Sequence, residues 1–136
     1  MKIMLDDGAK MPTRAHPFDA GLDLYATEDR IIEAKGSAVF DTGVHVQIPE
    51  GCVGFLKSKS GLNVKHGIVS DGVIDSGYTG SIVVKLYNLS GFDYQVYDGD
   101  KISQLVILPC LLPELEPADN LEDTDRGDGG FGSTGR

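Results

Sequence analysis

Two segments of the chain place charged side chains where they could bind an anion or a cation. Asp23 puts a carboxylate inside the apolar stretch 20–26, and Lys59 and Ser60 precede Gly61 at the start of a predicted short helix. The N-terminus of a helix offers free backbone N–H groups, so the second segment is typical of an anion site. An acid in an apolar strand is more often a hydrogen-bonded structural residue than a catalytic one, so neither segment is decisive alone.

Two further segments carry polar groups of other kinds. Glycines flank the acid Asp75 and the phenol Tyr78 in the segment 72–80, and Gln104 places an amide within the predicted strand 102–108. A turn rich in glycine and aspartate is usually only a turn. Any function for the four segments therefore depends on whether the fold combines them.

Other recognisable patterns have simpler explanations. Residues 127–132 match G-x-G-x-x-G, but the four residues that follow are too few for the helix this motif needs, so we expect no dinucleotide site. The three histidines lack the spacing of metal ligands, and we expect structural roles for them. Cys52 and Cys110 are isolated in the sequence, which favours buried free thiols over a disulfide or a metal site.

Short alternating stretches predict the strands that must position these groups. Alternation is clear at residues 44–48, 82–87 and 102–108, and turn sequences such as 49–51 and 98–100 lie close by. This close spacing is typical of a sandwich, a barrel or a jelly roll. Parallel βαβ architecture is disfavoured because no amphipathic stretch is long enough to be a crossover helix.

One short helix is predicted over residues 60–67. Ser60 can cap its N-terminus, and Lys65 and His66 suit the negative C-terminal end. Gly67 can take the left-handed conformation that commonly follows a helix. The helix would then direct its free N–H groups towards the segment that contains the candidate anion site.

Composition changes near Pro113 and divides the chain into a β domain, residues 1–113, and a C-terminal segment, residues 114–136. Residues 114–128 contain seven carboxylates and one basic residue, a net charge of −6, and five glycines follow within 127–135. Composition alone fits a disordered tail. The sharper interpretation is an acidic linker and a Gly-rich arm that orders over a ligand or a neighbouring subunit.

The overall charge limits the classes of partner. The chain has 136 residues, enough for one domain with a core of its own, and 21 acidic against 12 basic residues give a net charge of −9. This charge argues against a nucleic-acid partner but leaves room for a small phosphate ligand held by local donors. No apolar run approaches the roughly 20 residues that span a bilayer, and the start lacks the pattern of a signal peptide. We therefore expect a soluble, cytoplasmic protein with no membrane partner, and a viral or phage origin stays open.

The four segments and the stretch 126–135 follow one another in the order and approximate spacing of five motifs of a known family. The chain resembles the trimeric deoxyuridine triphosphate nucleotidohydrolases, the dUTPases, from about residue 20 to residue 135, and five ordered motifs are far more specific than one. The resemblance implies an all-β subunit, a distorted jelly roll or β-barrel-like fold with one short helix. It also implies a homotrimer with active sites shared between subunits, Mg²⁺ as cofactor, and hydrolysis of dUTP to dUMP and pyrophosphate, which limits uracil in DNA and supplies dUMP for dTMP synthesis.

The resemblance further implies roles in the segment 72–80. Asp75 would orient and deprotonate the attacking water, as a rigidly held carboxylate can. Tyr78 would lie against the deoxyribose, where a 2′-hydroxyl has no room. The backbone of Gly72, Val73 and Ile74 would contact the edge of uracil.

The phosphates and the metal ion are assigned to the other segments by the same resemblance. Lys59, Ser60 and Gly61 would hold phosphate oxygens at the start of the helix, and Gln104 would contact a phosphate or a nearby water. Asp23 would hold hydrated Mg²⁺ through water, since one carboxylate together with phosphate oxygens is sufficient for this ion.

The C-terminal arm would close the site. By resemblance, Phe131 would stack on uracil, while Arg126, Gly132, Ser133 and Thr134 would contact the phosphates. Ordering of the arm would expel water and complete the site.

The chain departs from the family pattern at two residues and in one connection. Lys59 stands where the family usually has arginine, which keeps the charge but loses the planar bidentate fork. Asn63 stands where a small alanine is common, and the connection 66–75 is shorter than in several relatives.

Two alternatives to dUTP hydrolysis stay open. One is a dCTP deaminase, an enzyme of related fold that attacks the base, and the other is a nucleotide-gated regulatory binding protein on the same fold.

Overall fold

The computed structural model of the chain describes residues 1–130, which form eleven short strands and one helix. Their bounds in chain order are β1 (Lys2–Leu5), β2 (Gly21–Tyr25), β3 (Arg30–Ile32), β4 (Ser37–Asp41), β5 (Val44–Gln47), β6 (Cys52–Lys57), α1 (Ser60–His66), β7 (Ile68–Val69), β8 (Asp71–Ile74), β9 (Val83–Asn88), β10 (Tyr94–Val96) and β11 (Lys101–Pro109). The three strands predicted from alternation correspond to β5, β9 and β11, each within about one residue of the expected bounds. Within the described residues, no helix is long and apolar enough to cross a membrane.

The strands pair in four antiparallel sheets. The orders are β1-β5, β10-β3, β2-β11-β6-β8 and β4-β9-β7. A mostly β fold with one short helix is therefore confirmed for residues 1–130. The barrel-like closure that we expected is wrong, because most strands are too short to continue from one sheet into the next and the β2–β11 register shifts between Lys101 and Ser103.

Alternating side chains from the sheets form one apolar interior. In β4 the burial alternates so that Ala38 and Phe40 point inward, and in β9 the inward residues are Val84 and Leu86. Buried residues of the other strands add to this core, among them Leu24, Ile32, Val46, Leu56, Val96 and Leu105. This core fixes the positions of the loops and strand ends that carry the polar segments.

The helix α1 confirms the predicted position but not the predicted cap. The N-cap residue is Lys59, which has an extended backbone and whose carbonyl accepts the Asn63 N–H at 2.9 Å. Ser60 is therefore the first helical residue and does not cap the N-terminus, so that expectation was wrong. Gly67 ends the helix in the left-handed conformation, with φ 67°, as predicted.

The segment after β11 has no regular secondary structure up to residue 130. The hydrogen bonds of the described residues 114–130 all join residues of that same segment. Its apolar side chains are exposed, and Leu115 and Leu121 are 93% and 90% accessible. The predicted division between a β domain and a C-terminal arm stays a prediction.

Cys52 and Cys110 are free thiols, as expected, but half-buried rather than buried, because both lie where β6 and β11 end at the surface.

Candidate active site

A buried carboxylate paired with two lysines lies at one end of the largest sheet. Asp23 on β2 is 5% exposed. Its Oδ1 accepts a hydrogen bond from the ammonium of Lys59, which precedes α1, and its Oδ2 lies 2.8 Å from Nζ of Lys101 at the start of β11. Burial opposes ionisation of Asp23, but the hydrogen bonds from Lys101 and Lys59 outweigh it and hold the pKa of this carboxyl below its usual value. The same bond to Asp23 raises the pKa of Lys101.

Gln104 joins this group through the register of the sheet. It lies on β11 directly opposite Asp23 on one side and Lys57 on the other. Its Nε2 donates to the carbonyl oxygen of Ser58 at 3.0 Å, so the amide holds the backbone that leads into the helix. We call the side chains of Asp23, Lys59, Lys101 and Gln104 the Asp23 cluster.

Three serines fix the backbone just before Lys59. The hydroxyl of Ser58 donates to the Ser70 carbonyl at 3.0 Å and accepts the Ser70 N–H at 2.9 Å. The hydroxyls of Ser70 and Ser103 lie 2.8 Å apart in the interior, and Ser103 also donates to the carbonyl of Lys57 at 3.2 Å. The entry to the helix is thus held by neighbouring strands on both sides.

The start of the helix is open to solvent. Ser60 and Gly61 are exposed, and a Cβ added at Gly61 would meet no atom within 4 Å. The N-cap makes no side-chain hydrogen bond to the helix. The first backbone N–H groups of α1 therefore face a space that a ligand can enter.

A second group of residues lies on the connection between β8 and β9, which we call the Asp75 turn (residues 75–82). The Tyr78 N–H donates to the carbonyl of Asp75 at 3.0 Å, and the Tyr78 hydroxyl donates to the carbonyl of Ser81 at 2.9 Å. Asp75 is exposed, and within residues 1–130 its carboxylate has no hydrogen-bond partner. A Cβ at Gly80 would lie 2.4 Å from the Tyr78 hydroxyl oxygen, so the absence of a side chain at position 80 leaves room for the Tyr78 ring.

The strand before this turn presents its backbone at a sheet edge. β8 is the edge strand of the four-stranded sheet, and an edge strand keeps a row of N–H and C=O groups without a strand partner. Gly72 faces Leu56 on β6, Val73 is 60% exposed, and Ile74 is buried. The backbone of these three residues is anchored on one side by β6 and by the Ile74 side chain, and is accessible from the other.

The Asp23 cluster and the Asp75 turn do not meet within one chain. Ile74 pairs with Gly54 and Asp71 pairs with Lys57, so Asp75 and Lys59 lie beyond opposite ends of the β6–β8 ladder. At about 3.3 Å per residue, the ladder and its extensions separate their backbones by roughly 15–20 Å. A site that uses both groups requires a second copy of the chain or a large movement.

The arm residues are only partly described. Arg126 donates from Nε to the carbonyl of Gly129 at 2.9 Å within its own exposed turn. Phe131, Gly132, Ser133 and Thr134 lie outside the described residues. The structure therefore brings Asp23, Lys59 and Gln104 together with the helix start, and places the Asp75 turn and Arg126 elsewhere.

Sequence reasoning missed the residues that support the site. The sequence pattern assigned no role to Lys101, yet its side chain shares the Asp23 carboxylate with Lys59. Ser103 offered a signal, because it is a polar residue at an inward position of an alternating strand. Ser58 and Ser70 gave no signal, since their contact joins positions 12 residues apart in two different connections.

The cationic groups around a buried carboxylate, together with an exposed acid on a hydrogen-bonded turn, suit a hydrolase for an anionic substrate once a second copy of the chain brings them together. The family model described as dUTPase matches residues 7–135. The chain is 43% identical over 132 residues to the deoxyuridine 5'-triphosphate nucleotidohydrolase of Arabidopsis thaliana, covering 96% of this chain and 80% of that protein. It is 42% identical over 134 residues to the corresponding protein of Clostridium acetobutylicum, covering 96% of this chain and 92% of that protein. The chain therefore belongs to the dUTPase family.

Solved structures agree with this assignment. The dUTPase of Staphylococcus bacteriophage 80alpha with dUpNHpp superposes with a TM-score of 0.92 at 34% identity, covering 99% of this chain and 98% of that chain. A variant of the dUTPase from phage phi11 of S. aureus superposes with a TM-score of 0.82 at 33% identity, covering 90% of this chain and 98% of that chain. The latter structure describes the coordination of a structural Mg(II) ion.

Proposed function

We propose that the protein hydrolyses dUTP to dUMP and pyrophosphate by in-line attack of water at the α-phosphorus. Membership of the dUTPase family over nearly the whole chain is the observation that carries this proposal. A relative of the same fold binds dUpNHpp, which supports a deoxyuridine nucleotide as the ligand. In the cell this reaction limits uracil in DNA and supplies dUMP for dTMP synthesis.

The active site is completed by more than one copy of the chain. The roughly 15–20 Å between Asp75 and Lys59 supports this step, because an in-line attack needs the water and the phosphate in contact. A homotrimer, in which each copy meets a different face of the next, would bring the Asp75 turn of one copy to the Asp23 cluster of another. The exposed position of Asp75 at the surface is consistent with such a contact.

The Asp75 turn acts on the water and on the nucleoside. The Asp75 carboxylate orients the attacking water and accepts its proton. Asp75 directly follows β8, and its carbonyl accepts the Tyr78 N–H, so these two constraints limit the movement of its backbone. Tyr78 lies against the deoxyribose and excludes a 2′-hydroxyl. The edge backbone of Gly72, Val73 and Ile74 contacts the uracil.

The start of α1 holds the phosphates. Lys59, Ser60 and Gly61 supply an ammonium, a hydroxyl and backbone N–H groups on a surface that is open to solvent. Gln104 fixes this segment by its bond to Ser58 and contacts a phosphate or a nearby water. When the substrate binds, the Lys59 ammonium directs part of its hydrogen bonding to a phosphate oxygen instead of to Asp23.

The residues present fit a hydrated Mg²⁺ held with the substrate rather than by the protein alone. Among residues 1–130, no group of three or more histidine, cysteine, aspartate or glutamate side chains is arranged to hold a metal ion. Asp23 has a single hard carboxylate next to the phosphate segment, which suits an ion that keeps its waters once Lys59 or Lys101 gives up its contact with that carboxylate. Asp23 would hold the ion through water, and the bound ion would neutralise charge on the triphosphate.

The C-terminal arm closes over the bound nucleotide. Arg126, Gly132, Ser133 and Thr134 contact the phosphates, and Phe131 stacks on the uracil. The described residues 114–130 form no hydrogen bond with the β domain, which supports a role that begins only when substrate is bound.

A nucleotide panel tests the function. The protein with Mg²⁺ is incubated separately with dUTP, UTP, dCTP and dTTP in ¹⁸O-water, and pyrophosphate, ammonia and the position of the label are measured. The proposal predicts pyrophosphate release from dUTP far above that from the other three, with ¹⁸O in dUMP. Ammonia release from dCTP would indicate a deaminase instead, and dUTP binding without turnover would indicate a regulatory nucleotide-binding protein.

A further inference from the structure

The Asp75 turn is anchored firmly at its C-terminal end. The Ile82 N–H donates to the carbonyl of Val44 at 2.8 Å, and the Thr42 hydroxyl donates to the carbonyl of Ile82 at 2.7 Å. The Ser81 hydroxyl donates to the Asp41 carboxylate, and this bond lowers the pKa of Asp41. These contacts hold residues 81–82 but not the part of the turn that carries Asp75.

The middle of the turn depends on one histidine. Within residues 1–130, the hydrogen bond between Nδ1 of His45 and the carbonyl of Thr79, 2.8 Å long, is the one that joins residues 75–80 to another part of the chain. His45 lies in β5, and its Nε2 is 3.2 Å from Oδ2 of Asp6. The Asp6 N–H donates to the carbonyl of Gly43 at 2.8 Å, so the backbone that carries this carboxylate is itself anchored.

Both partners of the ring are acceptors. A backbone carbonyl and an ionised carboxylate can only accept hydrogen bonds. Only the doubly protonated ring, which has two N–H donors, can therefore donate to both Thr79 and Asp6. The bond to Thr79 first, and then the bond to Asp6, raise the pKa of His45 above 6.5. The charged groups that face the ring are Asp6 and Asp41, and Lys2 of β1 borders the same surface depression.

We propose that His45 is a positioning residue that clamps the Asp75 turn to the β1–β5 sheet through Thr79 and Asp6, and so pre-orders the turn for nucleotide binding. This inference rests on the proposed function, because Asp75 and Tyr78 are the residues whose position it fixes. Without the clamp, ordering of the turn accompanies each binding event. The loss then appears in KM for dUTP while kcat changes little.

Three variants separate the clamp from general stability. His45→Ala removes both bonds, and His45→Gln keeps a donor for Thr79 without a titrating ring. Gln47→Ala is the matched control, because Gln47 lies two residues along β5, is exposed and borders the same depression, but forms no hydrogen bond with Thr79 among the described residues. We expect KM to rise about threefold to tenfold in His45→Ala, to recover only in part in His45→Gln, which keeps one of the two hydrogen bonds, and to stay unchanged in Gln47→Ala.

The pH profile supplies a second readout. The ratio of the KM of the wild-type protein to that of His45→Gln cancels the titration of dUTP itself. This ratio should rise as the pH increases through the pKa of His45, because one of the two ring bonds is lost above it. A flat ratio from pH 6 to 9 would overturn the requirement for the protonated ring.

Hydrogen exchange tests the clamp without activity. The Tyr78 amide, bonded to Asp75 within the turn, should exchange severalfold faster in His45→Ala than in the wild-type or Gln47→Ala protein. Unchanged exchange in His45→Ala would overturn the clamp even if dUTP is hydrolysed. Failure of the wild-type protein to hydrolyse dUTP would instead overturn the proposed function and leave the exchange result standing.

Discussion

Replacement of Gly21 by alanine should displace Gln104 from the Asp23 cluster. A Cβ at this position would lie 2.1 Å from Oε1 and 3.2 Å from Cβ of Gln104. Ordinary contact begins near 3.4 Å, so the amide must move by about 1.3 Å. This movement breaks the bond that Gln104 donates to the carbonyl of Ser58.

A lost hydrogen bond and a close Cβ contact together determine how much Gly21→Ala destabilises the protein. Loss of one hydrogen bond costs about 1 kcal/mol, and the close Cβ contact that remains adds up to about 1 kcal/mol. The free energy of unfolding should therefore fall by about 1–2 kcal/mol, which lowers Tm by about 3–8 °C for a domain of this size. Because Gln104 also orients the entry to α1, KM for dUTP should rise as well.

Thermal and urea unfolding of Gly21→Ala and Gly91→Ala measure this effect. Gly91 is the matched control, since it is exposed and a Cβ there would meet no atom within 4 Å. Gly91→Ala includes the entropic effect of the substitution on the unfolded chain without the clash. The comparison of the two variants thus isolates the contact with Gln104.

A double variant decides whether Gln104 is the cause. In a Gln104→Ala background the amide is already absent, so adding Gly21→Ala should cost much less than it does in the wild-type protein. An equal cost in both backgrounds would show that the contact with Gln104 is not the cause. A Gly21→Ala protein as stable as Gly91→Ala would show that the contact costs nothing.

Two further predictions concern charge and the arm. Asp23→Asn leaves Lys59 and Lys101 facing one another, and because their side chains are 26% and 42% exposed, the cost should be about 1–2 kcal/mol, below that of a fully buried pair. Folding lowers the pKa of Asp23 from 3.8, so its stabilisation is present above pH 3.8 and is lost as the pH falls through the lowered pKa; urea unfolding should show the stability difference between the two proteins shrinking as the pH falls below 3.8. Truncation after Asp119 should leave the Tm nearly unchanged, because residues 114–130 bond only to themselves, but should nearly abolish dUTP hydrolysis; full activity in a pyrophosphate assay would contradict the role of the arm.

Local structure was predictable from the sequence where it depends on near neighbours. The strand β9 and the left-handed Gly67 after α1 follow from alternation and from the conformational freedom of glycine. The N-cap at Lys59 could not be predicted from neighbouring residues, because the Lys59 side chain is held by a hydrogen bond to Asp23, 36 residues away in sequence. Propensity for a cap describes the residue and its neighbours, not an ion pair formed by the tertiary fold.

The candidate site was predictable in its parts but not in its arrangement. Motif order identified Asp23, Lys59 and Asp75, whereas the pairing of β6 with β8 that separates Asp75 from Lys59 is a matter of register. Register between strands is set by core packing, and alternation within one strand cannot reveal it. The clamp at His45 was missed for the same reason, since it joins positions 34 residues apart.

Complementation between two inactive variants tests most directly whether copies of the chain share the active site. Asp75→Asn should bind dUTP without turnover, and Lys59→Met should bind it poorly. When the two are unfolded in urea, mixed in equal amounts and refolded together, about a quarter of the shared sites combine an intact Asp75 with an intact Lys59. We predict that dUTP hydrolysis returns to about a quarter of the wild-type rate in the mixture. No recovery in mixed assemblies, verified by a tag on one variant, would place both residues in a site within one chain and contradict an active site shared between copies.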